Sequence, residues 1–307
     1  MFNVAVIGAS GLLGRALVHE LETCAGWRVV PTAHRRAGGR TVALDVRDPA
    51  AVTSFIARNR PDAIVIMVAE RRPDVCERDP TAARALNVDA VRTIVSAARQ
   101  CGAWVLSIST DYVFDGSAAP YRIDDRPGPL NAYGRSKLEG EIALADSTEL
   151  GCVLRLPLLF GPVVEWSESA VTSLVPAIIA SATPGADPAP MDAWATRYPT
   201  YTPDVAYVIR RMLEQHAEGK AVCGIAHWSG DEPMTKFDIA ARIARALSVD
   251  ARLFPRFASA EATPRPRDCH LDSGRLEALG IGRRTPFDIA LAEVLGASPA
   301  PVPAPAR

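Results

Sequence analysis

The sequence predicts a doubly wound α/β protein built on a parallel sheet, and three observations carry that reading. Short apolar runs alternate with helical patterns through the first half of the chain, as βαβ units require. Ala63-Ile64-Val65-Ile66-Met67-Val68 is apolar at every position, as a central parallel strand covered on both faces must be. Gly8-Ala9-Ser10-Gly11-Leu12-Leu13-Gly14 stands directly between the first predicted strand and the first predicted helix.

Residues 4–7 form the first strand, and residues 12–23 a helix with Leu13, Leu17 and Leu21 on one face. Residues 27–33 and the short run 41–44 are the second and third strands. Asp48 before Pro49 has the form of an N-cap and first helical residue, which starts a helix over 49–58. After the strand at 63–68 come one long helix over 80–99, a strand at 104–109, a helix at 130–145 and a buried strand at 153–156. Beyond Gly161 the alternation loosens, and Pro and Ala concentrate between Ala182 and Pro190, which predicts an exposed, mobile loop. Thr202-Pro203 opens another helix, residues 222–228 read as a late strand, and Thr235-Lys236-Phe237-Asp238 outlines a capping box for a helix to about Leu247.

This pattern divides the chain into a nucleotide-binding domain over 1–160, which the late strand near 222–228 rejoins, and a smaller α/β substrate-binding region over 161–295. A Pro/Ala tail over 296–307 has too little apolar surface to offset its ordering entropy and is expected to be disordered. Deleting Ser298 to Arg307 should therefore leave the melting temperature and cofactor affinity unchanged. A drop of several degrees in a thermal melt would show instead that the tail docks on the body.

Composition excludes several functions. At 307 residues, 48% hydrophobic and 22% charged, the chain can bury a sizeable core. A net charge of -1 gives no footprint for nucleic acid or an anionic membrane. No apolar run is long enough to span a bilayer, and the apolar start is too quickly followed by Gly8 to be a signal peptide. Cys24, Cys76, Cys101, Cys152, Cys223 and Cys269 are scattered, without Cys-x-x-Cys or His at metal spacing. Reduced thiols, no metal and a cytoplasmic location are expected.

The glycine turn points to a dinucleotide and so to a Rossmann arrangement. Gly8 permits the tight turn, Gly11 lets the backbone approach a pyrophosphate, and Gly14 lets the helix pack on the strand. The helix N-terminus offers its N–H groups and positive dipole end to phosphate. NAD enzymes place a carboxylate near the end of the second strand, but here that position carries His34-Arg35-Arg36, which suits the 2′-phosphate of NADP(H). Asp45 stands where an adenine contact is usual, although a turn aspartate would look the same. NADPH should bind more tightly than NADH, because each charge-assisted hydrogen bond to the 2′-phosphate is worth about 1.5–3 kcal/mol. Equal affinities by calorimetry would sink the assignment.

Tyr133-Gly134-Arg135-Ser136-Lys137 sets a phenol and an ammonium four residues apart on one helix face. A neighbouring cation lowers a phenol's pKa from about 10, which suits the pair to giving a proton to a carbonyl oxygen. Ser109-Thr110 ends the preceding strand and offers a hydroxyl to hold that oxygen.

Residues 109–116 (Ser-Thr-Asp-Tyr-Val-Phe-Asp-Gly) and 133–141 (Tyr-Gly-Arg-Ser-Lys-Leu-Glu-Gly-Glu) resemble the extended short-chain dehydrogenase/reductases, in their dTDP-4-dehydrorhamnose reductase branch. Residues 69–75, 197–200, 227–230 and 279–287 are similar to the branch's regulatory beta subunits of methionine adenosyltransferase. The resemblance gives Thr110, Tyr133 and Lys137 the catalytic positions. It extends the cofactor contacts to Ser10, Leu12, Leu13, Val46, Val68, Ala69, Glu70, Asn87, Tyr133, Lys137 and Pro157. It sets Arg71, Thr110, Asp111, Tyr112 and Arg265 toward the substrate. Leu158 stands where the rhamnose reductases carry a tryptophan that packs on the sugar. The function implied is NADPH-dependent reduction of a carbonyl or imine, with nucleotide-linked keto-sugars among the candidate substrates. The alternative is an NADP-binding regulatory subunit whose partner is an adenosyltransferase catalytic subunit, and self-association as a homodimer is a further expected arrangement.

Overall fold

The structure, a computed structural model, describes residues 1–297 apart from Ala37, Ser147, Glu149, Ala260 and Glu261. The chain opens with β1 (Phe2–Ile7), α1 (Leu12–Glu22), β2 (Trp27–Ala33), β3 (Val42–Ala43), α2 (Pro49–Asn59) and β4 (Ala63–Ile66). It continues with α3 (Pro73–Arg78), α4 (Pro80–Arg84), a π-helical turn (Ala85–Asp89), α5 (Ala90–Cys101), β5 (Trp104–Thr110), α6 (Ala132–Ala145) and β6 (Gly151–Leu156). Then come β7 (Leu159–Phe160), α7 (Val175–Ser181), β8 (Ala189–Asp192), β9 (Thr200–Tyr201), α8 (Thr202–Ala217) and β10 (Gly224–His227). The described part ends with α9 (Lys236–Ala246), β11 (Leu253–Arg256), α10 (Gly274–Glu277) and α11 (Phe287–Ala297).

Seven parallel strands make one sheet in the order β3-β2-β1-β4-β5-β6-β10. The chain winds outward from β1 to one edge, crosses back beside β1 at β4, and winds outward the other way. The carboxyl ends of β1 and β4 therefore border the crevice where such sheets bind ligands. Alternation along the strands splits the core between the two faces. Val4, Val6, Ala63 and Val65 pack toward α1 and α8, while Ala5, Ile7, Ile64 and Ile66 pack toward α2 and α5. Each fully buried Leu or Ile here contributes roughly 1.5–3 kcal/mol. Beyond β6, Val175, Ile178, Met191, Ile239, Ile243 and Phe287 form a further cluster from α7, β8, α9 and α11. Among the described residues no helix is long and apolar enough to cross a membrane.

Local capping chemistry explains several boundaries. Asp48 accepts hydrogen bonds from Ala50 N and Ala51 N at the start of α2, and Thr235 and Asp238 close a reciprocal capping box on α9. Asn131, rather than Leu130, starts α6: its Oδ1 accepts from Gly134 N at 2.9 Å.

The structure corrects several expectations. The long helix over 80–99 is three pieces, preceded by α3, because Asp79 caps α4 and a π-helical turn interrupts the run at 85–89. That turn aims the Asn87 amide at the loop after β4, where it exchanges hydrogen bonds with the Glu70 backbone (2.8 and 3.1 Å). The fourth strand stops at Ile66, since the chain leaves the ladder to line the crevice. The loop expected over 182–190 ends in β8, whose Ala189 and Met191 are buried and which pairs with β11. Gly296 and Ala297, placed in the tail, belong to α11, and the rest of the expected tail lies outside the described residues.

Candidate active site

The glycine turn has the geometry a phosphate cradle needs. Gly8 sits at φ +95°, a conformation costly for any side chain, and a Cβ on Gly14 would stand 2.3 Å from Gly8 O. Gly11 is the N-cap of α1 and supplies no side-chain cap, so the N–H groups of the first turn remain available to an anion. Ser10, Leu12 and Leu13 stand in this turn.

Around it the loops that follow β2, β3 and β4 gather. His34, Arg35 and Arg36 directly follow β2, and all three are exposed. Asp45 accepts from Arg47 Nε (2.9 Å), Nη2 (2.7 Å) and N (3.0 Å), which holds its carboxyl down to about 2; His34 Nε2 lies 3.5 Å away. Asp45 thus shapes its own turn, with Val46 buried beside it. Val68 and Ala69 are half-buried, and Pro157 is buried just past β6. The Glu70 carboxylate turns to Arg72 (2.8 Å to Nε and 2.8 Å to Nη2), so Glu70 serves the loop through its backbone, while Arg71 is exposed. Asn87, fully buried, also donates to Ser136 Oγ at 2.9 Å. The Asn87 amide is thus committed to the protein and ties the β4 loop to α6.

The Thr110 hydroxyl and the Tyr133 phenol share a hydrogen bond, and Thr110 Oγ1 also donates to Asp111 Oδ1 at 3.1 Å. Tyr112 stacks edge-on against Tyr133, with centroids 5.9 Å apart. Burial pushes the Tyr133 phenol well above its ordinary value, against the Thr110 bond. The lowering expected from Lys137 is not the outcome, and the phenol is held in its protonated form by burial. Lys137 Nζ donates to Ile108 O at 2.7 Å, and burial pulls its pKa down to about 8 against the opposing charge of Glu141. Asp111 is pushed up to about 6 by burial, with Arg197 acting against it.

Beneath these groups runs a buried charged network that sequence reasoning missed. Glu141 accepts from Ser109 Oγ and forks with Arg155, at 3.0 Å to Nε and 2.7 Å to Nη2, and Arg155 Nη1 lies 3.3 Å from His227 Nε2. All four side chains are buried. The spacing of Tyr133, Lys137 and Glu141 at i, i+4 and i+8 was the available signal.

A cleft of about 280 Å³ adjoins Tyr112, with Met191, Asp192, Trp194, Arg197, Lys236 and Arg256 in its walls. Arg265 lines it too, donates to Asp74 Oδ2 at 3.0 Å and hydrogen-bonds Tyr112. The Arg197 guanidinium lies 5.8 Å over the Tyr112 ring. Four cations against one carboxylate give this cleft a charge that suits an anionic group. Sequence reasoning set only Arg265 toward the substrate: Arg197 entered through the resemblance at 197–200 and Lys236 through the capping box of α9, and the four cations meet only through packing.

A doubly wound sheet with a glycine turn at its switch point and a Tyr-x-x-x-Lys pair at the same edge defines a protein of the short-chain dehydrogenase/reductase type. More narrowly, the chain belongs to the RmlD family: the model described as RmlD substrate binding domain matches residues 2–298. Methionine adenosyltransferase 2 subunit beta of Bos taurus is 43% identical over 295 residues, covering 95% of this chain and 87% of that protein. A dTDP-4-dehydrorhamnose reductase of Streptomyces griseus is 32% identical over 313 residues, covering 98% and 96%. The solved dTDP-4-dehydrorhamnose reductase of Bacillus anthracis, in complex with NADP, superposes with a TM-score of 0.82 at 23% identity, covering 96% and 98%.

Proposed function

We propose that the protein is an NADPH-dependent reductase of a carbonyl or imine compound that carries an anionic group. The observation that carries this reading is the hydrogen-bonded Thr110–Tyr133 pair, with Lys137 one helical turn further on, at the carboxyl edge of the sheet. In this reading residues 1–160 hold the dinucleotide and residues 161–295 most of the substrate. The turn from Gly8 to Gly14 takes the pyrophosphate, Arg35 and Arg36 the 2′-phosphate, and Asp45 the adenine edge. The NADP complex of the Bacillus anthracis relative supports that choice of cofactor.

The bound nicotinamide supplies hydride. Tyr133, kept protonated by burial, gives its proton to the substrate oxygen or nitrogen. Thr110 holds that atom within reach of the phenol. Lys137 is cationic below about pH 8, and so it binds the nicotinamide ribose and stabilises the phenolate left behind. Arg265 and Arg197 receive the anionic group in the cleft, and Asp111, Tyr112 and Arg71 are assigned to the substrate with them by the resemblance. Leu158, half-buried against the cluster beyond β6, favours a substrate other than the one the rhamnose reductases stack on tryptophan.

A second reading, an NADP-holding regulatory subunit of a methionine adenosyltransferase, is favoured by one observation: the beta subunit is 43% identical and the reductase 32%. One experiment separates the two. The protein is incubated with NADPH and a panel of keto-sugar nucleotides, ketones and cyclic imines while nicotinamide absorbance is followed, and in parallel with an adenosyltransferase catalytic subunit. Oxidation of NADPH that Tyr133→Phe abolishes supports the reductase. Oxidation that survives Tyr133→Phe refutes the mechanism. Silence across the panel, with altered adenosyltransferase kinetics that survive Tyr133→Phe, establishes the second reading.

A further inference from the structure

Glu168 closes a 3-10 turn (Trp166–Glu168) far along the chain from the glycine turn, yet its carboxylate lies among that turn's neighbours. Oε2 accepts from Arg15 Nη2 at 2.6 Å and from Val164 N at 3.0 Å, and Oε1 accepts from Arg36 Nη1 at 2.8 Å. Arg15 Nη1 in turn donates to Ser10 O at 2.9 Å, inside the glycine turn. The inner half of this cluster is enclosed: the side chains of Glu168 and Arg15 are 14% and 30% exposed, against 59% for Arg36. Burial works against the Glu168 carboxylate, but the bonds from Arg15, Arg36 and Val164 hold it down to about 2, so it is an anion throughout the physiological range.

We propose that Glu168 is a built-in stand-in for the 2′-phosphate: it holds Arg36 until the phosphate takes that arginine over, and so sets how strongly the chain prefers NADPH to NADH. The inference rests on the assignment of Arg35 and Arg36 to the 2′-phosphate. An arginine fork pairs best with one oxyanion at a time, and a fixed carboxylate within ion-pair distance lowers the attraction felt by a second anion. Arg36 makes one contact to Glu168 and is largely exposed, so it is the arm that can swing. Arg15 and Val164 N stay on Glu168 when Arg36 leaves, so the exchange strands no unpaired buried charge. NADH has no 2′-phosphate and asks nothing of Arg36. Glu168 should therefore act on one cofactor and not the other.

NADPH and NADH are titrated by calorimetry into the full chain and into Glu168→Gln, Arg36→Ala and the double variant. Glu168→Gln keeps the size and an acceptor while removing the charge. It should tighten NADPH roughly three- to fivefold, the upper part of the span of an exposed charge pair, and leave NADH within about twofold. In the Arg36→Ala background the gain should vanish. Glu168→Asp, which keeps the charge, should retain the wild-type preference and guards against a folding defect in Glu168→Gln. If the wild type prefers NADPH but Glu168→Gln binds it equally or more weakly, the stand-in is overturned; weaker binding makes Glu168 a support for Arg36. A wild type without NADPH preference overturns the cofactor assignment itself, and this inference with it.

Discussion

Tyr133→Phe should lower turnover roughly 10²–10⁴-fold, the span of a positioned acid–base group, while folding and NADPH affinity stay as they are. The substitution removes one oxygen. Tyr133 is half-buried against Tyr112 and Thr110, and phenylalanine keeps the ring contact at 5.9 Å while losing only the bond to Thr110. Lys137→Ala should also lower turnover, and in addition weaken cofactor binding, because the ammonium at the edge of the crevice is the group assigned to the ribose. Single-turnover kinetics with NADPH separates the two effects: Tyr133→Phe should slow the chemical step at saturating cofactor, whereas Lys137→Ala should shift the saturation as well. Equal turnover in Tyr133→Phe and wild type would remove the tyrosine from the mechanism.

Arg155→Met should destabilise the protein by about 3–5 kcal/mol, the usual cost of leaving one member of a buried ion pair alone. Arg155 is 1% and Glu141 6% exposed, and without the guanidinium the carboxylate keeps the bond from Ser109 Oγ and the neighbouring charge of Lys137. The double variant Glu141→Leu, Arg155→Met should recover most of the loss, since apolar groups of similar volume often replace a buried pair at little cost. Urea unfolding of the two single variants and the double variant gives the coupling. A cost below about 1 kcal/mol for Arg155→Met would mean that the pair is not a stabilising element, in conflict with the usual penalty for an uncompensated buried charge. Removing Glu141 also takes away the charge that opposes the burial of Lys137, so Glu141→Leu, alone and in the double variant, should lower the pH at which Lys137 loses its proton.

Much of the fold was legible because its determinants are local. A positive φ at Gly8, a helix start without a capping side chain at Gly11, and an Asp48-Pro49 cap depend on a few adjacent residues. Tyr133 and Lys137 share a helix face because four residues make about one turn. The break in the helix at Asn87 was not legible: Ala85 to Asp89 has ordinary helical composition, and the π-helical turn exists because the Asn87 amide finds Glu70 and Ser136. Glu70 was assigned to the site because its loop lies at the carboxyl end of the sheet, but Arg72 two residues on takes its charge and leaves the backbone to act.

The sequence alone determined the strand–turn–helix cradle, the basic residues after β2 and the alignment of the phenol with the ammonium. Each follows from spacing and from the conformational range of single residues. Tertiary structure alone decided which charges meet. Glu168 reaches Arg36 across 132 residues, Glu141 meets Arg155 from a neighbouring strand, and Arg197, Lys236, Arg256 and Arg265 converge on one cleft. It also decided the protonation of the site, since burial pushes Tyr133 up and brings Lys137 down to about 8, and burial depends on every segment packed around a group rather than on its neighbours in the chain.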